Sequence, residues 1–138
     1  MDFKYCKLEI FIPETHISQL QKALQSVDAG HIGNYDSCMS CSKVTSYWRP
    51  LDGTSPYIGN VGEISCEPEV KVEVTVFTEK VDETIQVIKE VHPYEEPVIN
   101  ALPIFSLNYS MHEIRICCII FARYLRLEFL SCLPTRPL

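Results

Sequence analysis

Apolar and polar positions switch between a two-residue and a helical period along most of this chain, and the switches mark out its elements. From Lys4 to Ile12 the side chains alternate. Cys6, Leu8, Ile10 and Ile12 fall on one face and Lys7 and Glu9 on the other, the pattern of a half-buried strand ended by Pro13. From Glu14 the spacing is helical, with Ile17, Leu20, Leu24 and Val27 in line, an acid in the first turn and Gly30 placed as a C-terminal stop. Tyr35 to Arg49 is polar, rich in Ser and Thr, and carries Tyr47 and Trp48, so it reads as a long, partly exposed strand. Pro50 to Gly62 concentrates Asp-Gly, Ser-Pro and Gly-Asn turn signals and predicts a long excursion between strands. Val70, Val72, Val74 and Val76, alternating with Lys71, Glu73 and Thr75, predict the clearest strand. A second helix follows from Thr78, a candidate N-cap, to His92, with Val81, Ile85, Ile88 and Val91 on one face. Pro93 disfavours the helical conformation at His92 and stops the helix just before the apolar run Val98 to Leu102.

The order strand, helix, strand, strand, helix, strand is the split βαβ, ferredoxin-like arrangement βαββαβ of the α+β class. Right-handed crossovers then place both helices on one face of a four-stranded antiparallel sheet. The other face stays open and bears Phe11, Phe77 and Trp48, so self-association is expected. Because both helices cover the same face, their two exits are expected to emerge at the same end of the fold.

Composition narrows the function. A chain of 138 residues with 46% apolar content supports one packed core, and a net charge of −6 with no basic stripe disfavours nucleic acid. Charge is uneven: residues 1–104 hold 8 Lys and Arg against 16 Asp and Glu, and residues 105–138 hold 4 against 2. The segment 105–138 is therefore set apart from a core domain of residues 1–104. Within it, Ile114 to Leu133 is apolar but interrupted by Arg115, Arg123, Arg126 and Glu128, which argues against a membrane span. Leu125, Leu127 and Phe129 alternate with Arg126 and Glu128, so the tail either adds an element to the open sheet face or is a divergent terminus. The start, Met-Asp-Phe-Lys-Tyr, shows neither a signal core nor a presequence, and the expected setting is cytoplasmic. Seven cysteines in irregular spacing read as reduced thiols.

Several blocks carry a resemblance. Gly30-His31-Ile32-Gly33-Asn34-Tyr35-Asp36-Ser37-Cys38, Trp48-Arg49-Pro50-Leu51-Asp52-Gly53, Pro56-Tyr57-Ile58-Gly59 and His92-Pro93-Tyr94-Glu95-Glu96-Pro97 resemble the PII/CutA-like domain of the YqfO branch of the dinuclear-metal-centre hexameric protein family, in a stand-alone form. Val91 through Ile104 also resembles the end of CutA, the divalent-ion tolerance proteins. The resemblance implies a ferredoxin-like fold that trimerises, with the segment between the second and third strands corresponding to the PII signalling loop. It does not extend to the metal-binding lobes of the long members, so their metal and hydrolase chemistry does not transfer. Val44 and Ser46 stand where that family usually has glycine, which makes the second strand less permissive.

Two clusters carry the candidate chemistry. His31 lies between two glycines, followed by Asn34 and Tyr35, and exposed amides there suit an anion. The structural alternative makes Gly30 a helix stop, Gly33 a turn and His31 a cap for helix carbonyls. In the second cluster, His92, Tyr94, Glu95 and Glu96 meet at a helix exit, where His92 and Glu95 suit a divalent metal ion. Here the alternative is structural too: His92 favours a helix C-terminus, Tyr94 packs and the glutamates stay in water. General acid–base work has no accompanying nucleophile or phosphate loop, so no catalytic residue is assigned. The Cys38-Met39-Ser40-Cys41 spacing lacks a second pair for zinc and a helix N-terminus for redox chemistry, and coincidence is the reading. Cys117 and Cys118, within an apolar run, read as buried thiols. The sequence thus points to a non-enzymatic, homotrimeric module that binds a small ligand or divalent ion through His31, Gly33, Asn34, Tyr35, His92, Tyr94, Glu95 and Glu96. The segment 35–69 would report to a protein partner. A purely structural assembly module is the alternative, and a small metal-dependent hydrolase a weaker one.

Overall fold

The computed structural model describes residues 3–105. The expectations for the 105–138 tail past Phe105, including Cys117 and Cys118, lie outside the described residues. Four strands, β1 (Tyr5–Ile12), β2 (Met39–Trp48), β3 (Ser65–Phe77) and β4 (Ile99–Ile104), form one sheet in the order β2-β3-β1-β4. All three pairings are antiparallel. Helices α1 (Ile17–Ser26) and α2 (Val81–Val91) each follow a short 3₁₀ turn, at Glu14–His16 and Thr78–Lys80. This is the predicted βαββαβ ferredoxin-like fold.

Alternation decides which face the helices cover. Cys6, Leu8, Ile10 and Ile12 of β1 and Val70, Val72, Val74 and Val76 of β3 are buried together with Leu20 and Leu24 of α1 and Ile88 of α2. Each fully buried aliphatic side chain contributes roughly 1.5–3 kcal/mol relative to exposure, so this layer dominates the fold's stability. Thr84, also buried, donates to the Lys80 carbonyl at 2.7 Å and so needs no partner from the core.

The opposite face carries charge as well as rings. Glu9 and Glu73 stand directly across from each other in the register, an unfavourable pairing by itself. Lys7 reaches Glu73 at 2.7 Å and Glu9 at 3.6 Å, and Lys71 reaches Glu9 at 3.6 Å and Glu73 at 3.5 Å, so the four side chains alternate in sign. Tyr5 and Phe77 pair at one end of this face, with centroids 4.9 Å apart.

Three local expectations need correction. Thr78 does not cap α2: its hydroxyl donates to the Phe3 carbonyl, and no side chain caps that helix. The stop of α1 comes two residues before Gly30. Asp28 takes the left-handed conformation at φ 60°, its N–H donates to Gln25 and the Ala29 N–H to Leu24, which closes the helix in a Schellman arrangement. Gly30, at φ +77°, serves the sheet instead: its N–H donates to the Thr75 carbonyl and its carbonyl accepts from the Cys38 N–H. A Cβ there would collide with the Cys38 backbone.

The third correction concerns the helix exits. Since β1 and β3 are antiparallel, the helices that follow them run in opposite directions and finish at opposite ends of the sheet. The α1 exit lies by Thr75 and Lys80, whereas the α2 exit lies by Phe11.

Candidate functional site

At the α1 exit the His31 ring is held on both sides. Nδ1 lies 2.8 Å from Asp28 Oδ1 and Nε2 lies 2.8 Å from the Gly33 carbonyl. Two acceptors favour the doubly protonated ring, and the Asp28 hydrogen bond, followed by the Gly33 carbonyl, raises the His31 pKa above its ordinary value. The same contact lowers the Asp28 pKa. Gly33 takes φ +61° in the turn joined by the Ile32–Tyr35 backbone bonds, and Tyr35 and Asn34 are exposed. His31 therefore closes a turn onto the α1 stop.

At the α2 exit the geometry is different. His92 is 8% exposed, and its Nε2 lies 2.9 Å from the Phe11 carbonyl while its Nδ1 lies 3.1 Å from the Tyr94 N–H. A carbonyl can only accept and an amide can only donate, which fixes the neutral ring with its proton on Nε2. Burial, the largest influence, lowers the His92 pKa, with Phe11 and Glu69 opposing and His16 reinforcing it. Neither ring nitrogen is left for a metal ion. Among the described residues no group of three His, Cys, Asp or Glu side chains is placed to hold one.

By fixing the Tyr94 N–H, His92 sets the course of the segment after Pro93. That segment runs over the Ile12 end of β1 and puts Tyr94 against Trp48, with centroids 5.7 Å apart, and against Tyr57 at 6.0 Å. The three rings wall a cavity of about 450 Å³ that is also lined by Phe11, Arg49, Glu69, Glu95 and Glu96. The register puts Phe11, Trp48 and Glu69 on the strand faces turned away from the helices. The loop 49–64 closes another side: Trp48 Nε1 donates to the Ile58 carbonyl at 3.3 Å, and the Ser55 N–H donates to Glu95 Oε2 at 3.0 Å.

The least expected member is Glu69. It is 4% exposed, and its Oε1 has no hydrogen-bond partner, nor has the buried Tyr94 hydroxyl. Burial, followed by the close hydrogen-bonding approach of the Glu69 side chain and then its charge, pushes the Tyr94 phenol well above the usual tyrosine range, so the phenol and the carboxylate lie near each other without completing a well-formed hydrogen bond. A buried polar atom left unpaired costs about 1–3 kcal/mol, so an incompletely bonded carboxylate and phenol in the cavity wall favour positive charge or a donor beside them.

Of the residues expected at a site, Tyr94, Glu95 and Glu96 line the cavity and His92 supports it from behind. His31, Gly33, Asn34 and Tyr35 lie at the other end of the sheet and do not join them within the chain. Phe11, Trp48, Tyr57 and Glu69 line the cavity and are absent from the site residues that the sequence points to. The Trp48-Arg49-Pro50 and Pro56-Tyr57-Ile58-Gly59 blocks carried a signal for two of the three rings, but Glu69 sits beside a valine alternation that marks its neighbours as solvent-facing.

Comparison with known proteins bears on the family and the fold. The family model of the CutA1 divalent ion tolerance protein matches residues 51–114, from the loop through β4 and beyond. A protein named GTP cyclohydrolase 1 type 2 homolog, from Halalkalibacterium halodurans, is 39% identical over 98 residues, which is 71% of this chain and 26% of that protein. Among solved structures, a Bacillus cereus protein related to NIF3 superposes with a TM-score of 0.66 at 30% identity, over 75% of this chain and 26% of the other. The PII-like protein CutA from Nostoc sp. PCC 7120 in apo form superposes with a TM-score of 0.54 at 22% identity, covering 79% and 88%. The resemblance to the YqfO branch and to CutA is thus borne out, and the last likeness speaks to the fold. The chain spans about a quarter, 26%, of the length of the curated relatives it matches. No helix among the described residues is long and apolar enough to cross a membrane.

Proposed function

We propose that this chain is a non-enzymatic, homotrimeric, PII/CutA-like regulatory module whose small ligand occupies the cavity between Trp48, Tyr57 and Tyr94. The observation that supports it most is a cavity of about 450 Å³ walled by three aromatic rings, with the Glu69 carboxylate oxygen and the Tyr94 hydroxyl of its lining residues buried without a well-formed hydrogen bond. That volume falls in the ordinary range for small-molecule sites. The loop 49–64 supplies part of the wall, so occupancy changes its contacts, and a protein partner reading the 35–69 segment would sense the ligand through it. Free thiols at Cys6, Cys38, Cys41 and Cys66 suit a cytoplasmic setting.

A reaction has little support. The cavity offers carboxylates and phenols but no nucleophile paired with a base. A divalent ion, the ligand suggested by the CutA1 description, fits the residues poorly: His92 spends both ring nitrogens on the backbone and Glu95 accepts from Ser55. It would need ligands from another subunit. The first block, His31 to Tyr35, likewise reaches a shared site only across a subunit boundary.

Trp48 is the one tryptophan of the chain, so its fluorescence reports on the cavity directly. The test titrates ATP and Mg²⁺ separately into the full-length chain, with mass followed by light scattering. A saturable fluorescence change in a particle of three chains supports the proposal. A monomer that responds to no small molecule refutes it.

A further inference from the structure

Rings on the walls and an acid in the interior select a class of ligand. Resting on the reading that this cavity is a binding site, we propose that its ligand is an organic cation: an alkylated or protonated amine with its ammonium head among Trp48, Tyr57 and Tyr94 and against Glu69.

Aromatic faces carry negative potential, and an ammonium within about 6 Å of a ring centroid is drawn to them. The three rings are tilted by 49° and 47° about Tyr94, so they form adjoining walls instead of a flat stack. Trp48 is held before any ligand arrives. Its Nε1 is bound to Ile58, and Gly59, at φ +99°, lies so close to Ser65 and the indole that a Cβ there would strike Ser65 Oγ.

The other ligand classes meet specific obstacles. An anion would face Glu69, Glu95 and Glu96 against a single guanidinium, Arg49. A neutral apolar molecule would bring neither charge nor a donor to Glu69, whose Oε1 already lies out of water without a well-formed hydrogen bond. An ammonium compensates the carboxylate with charge, and a protonated amine also donates to Glu69 directly. The cavity, at about 450 Å³, is larger than such a head group, which leaves Phe11, Pro56 and Val98 to receive an attached apolar body.

The experiment follows Trp48 fluorescence of the full-length chain during titration with choline chloride, with NaCl as the ionic-strength control. Its uncharged carbon isostere, 3,3-dimethylbutan-1-ol, is titrated in parallel. Choline is expected to give a saturable change, the isostere to bind at least about tenfold more weakly, and Glu69→Gln to weaken choline about tenfold with an unchanged circular dichroism spectrum. Equal affinity for both compounds, or undiminished choline affinity in folded Glu69→Gln, overturns the cation claim and leaves the cavity as a binding site. So does a response to ATP or Mg²⁺ with none to choline. Silence of Trp48 toward all four compounds overturns both readings. If Glu69→Gln does not fold, the ratio of choline to isostere on the unaltered chain decides.

Discussion

Replacing His92 with alanine tests whether the α2 exit is a scaffold for Tyr94. The substitution removes two hydrogen bonds to backbone, one to the Phe11 carbonyl at 2.9 Å and one from the Tyr94 N–H at 3.1 Å. Each net bond is worth about 1 kcal/mol, and the orphaned partner adds more where water cannot replace the ring, so a loss of about 2–4 kcal/mol is expected. With a urea m-value of about 1–3 kcal/mol/M, the midpoint falls by roughly 1–2 M. The pH dependence supplies a second, independent signature. The folded His92 pKa is depressed by burial, so between that value and the ordinary one near 6.5 the unfolded chain binds the extra proton. The contribution of His92 is therefore fully present above about pH 6.5 and drains away as pH falls, with a slope of at most about 1.4 kcal/mol per pH unit. Urea titrations of the full-length chain and the variant, at one protein concentration from pH 7.5 down to pH 5, should show the deficit shrinking toward acid. A deficit that is absent at pH 7.5, or that stays constant across the range, refutes the reasoning.

Further outcomes follow from other positions. Gly30→Ala meets both a positive φ and the Cys38 backbone, so it should lower stability by about 2 kcal/mol or more, measured by urea unfolding. Asp28→Asn removes the carboxylate that raises the His31 pKa, and an NMR titration should find that pKa shifted down toward 6.5. In the unaltered chain the sign is opposite to His92: the His31–Asp28 contact contributes below about pH 6.5 and is lost as pH rises through the raised His31 value. Ile10→Ala, in the middle of the helix-covered sheet face and fully buried, should cost about 2–5 kcal/mol in the same unfolding assay.

Periodicity revealed β1, α1, β3 and α2 because in each the buried face repeats at the period of the element. It failed where a backbone contact across the chain decides the outcome. β3 extends from Ser65, five residues before Val70, since pairing with β2 carries the ladder through Glu67 and Pro68, which have little strand character of their own. The α1 stop fell to Asp28 because Gly30 is needed for the approach of Cys38, a contact invisible along the sequence. Glu69 shows the same limit at the site. Alternation assigns it to the face of Lys71 and Glu73, which stay partly solvated, yet the Trp48–Ile58 bond and Tyr94 cover that end of the face and bury it.

The helix exits carry the largest consequence of this kind. A shared sheet face requires only that α1 and α2 lie side by side, and their direction follows from the strands that feed them. Because β1 and β3 are antiparallel, Gly30–Cys38 and His92–Pro97 end about as far apart as β1 is long, its eight residues spanning Tyr5 to Ile12. At about 3.3 Å per residue no side chain bridges that gap. The two blocks can therefore act together only if assembly sets the Tyr5 end of one subunit against the Ile12 end of the next. In a head-to-tail ring each boundary would then hold one block from each of two subunits, and a ligand there would be felt by both. Without such a ring, His31 with Asp28 remains a turn lock at one end, and recognition belongs to Trp48, Tyr57, Glu69 and Tyr94 at the other.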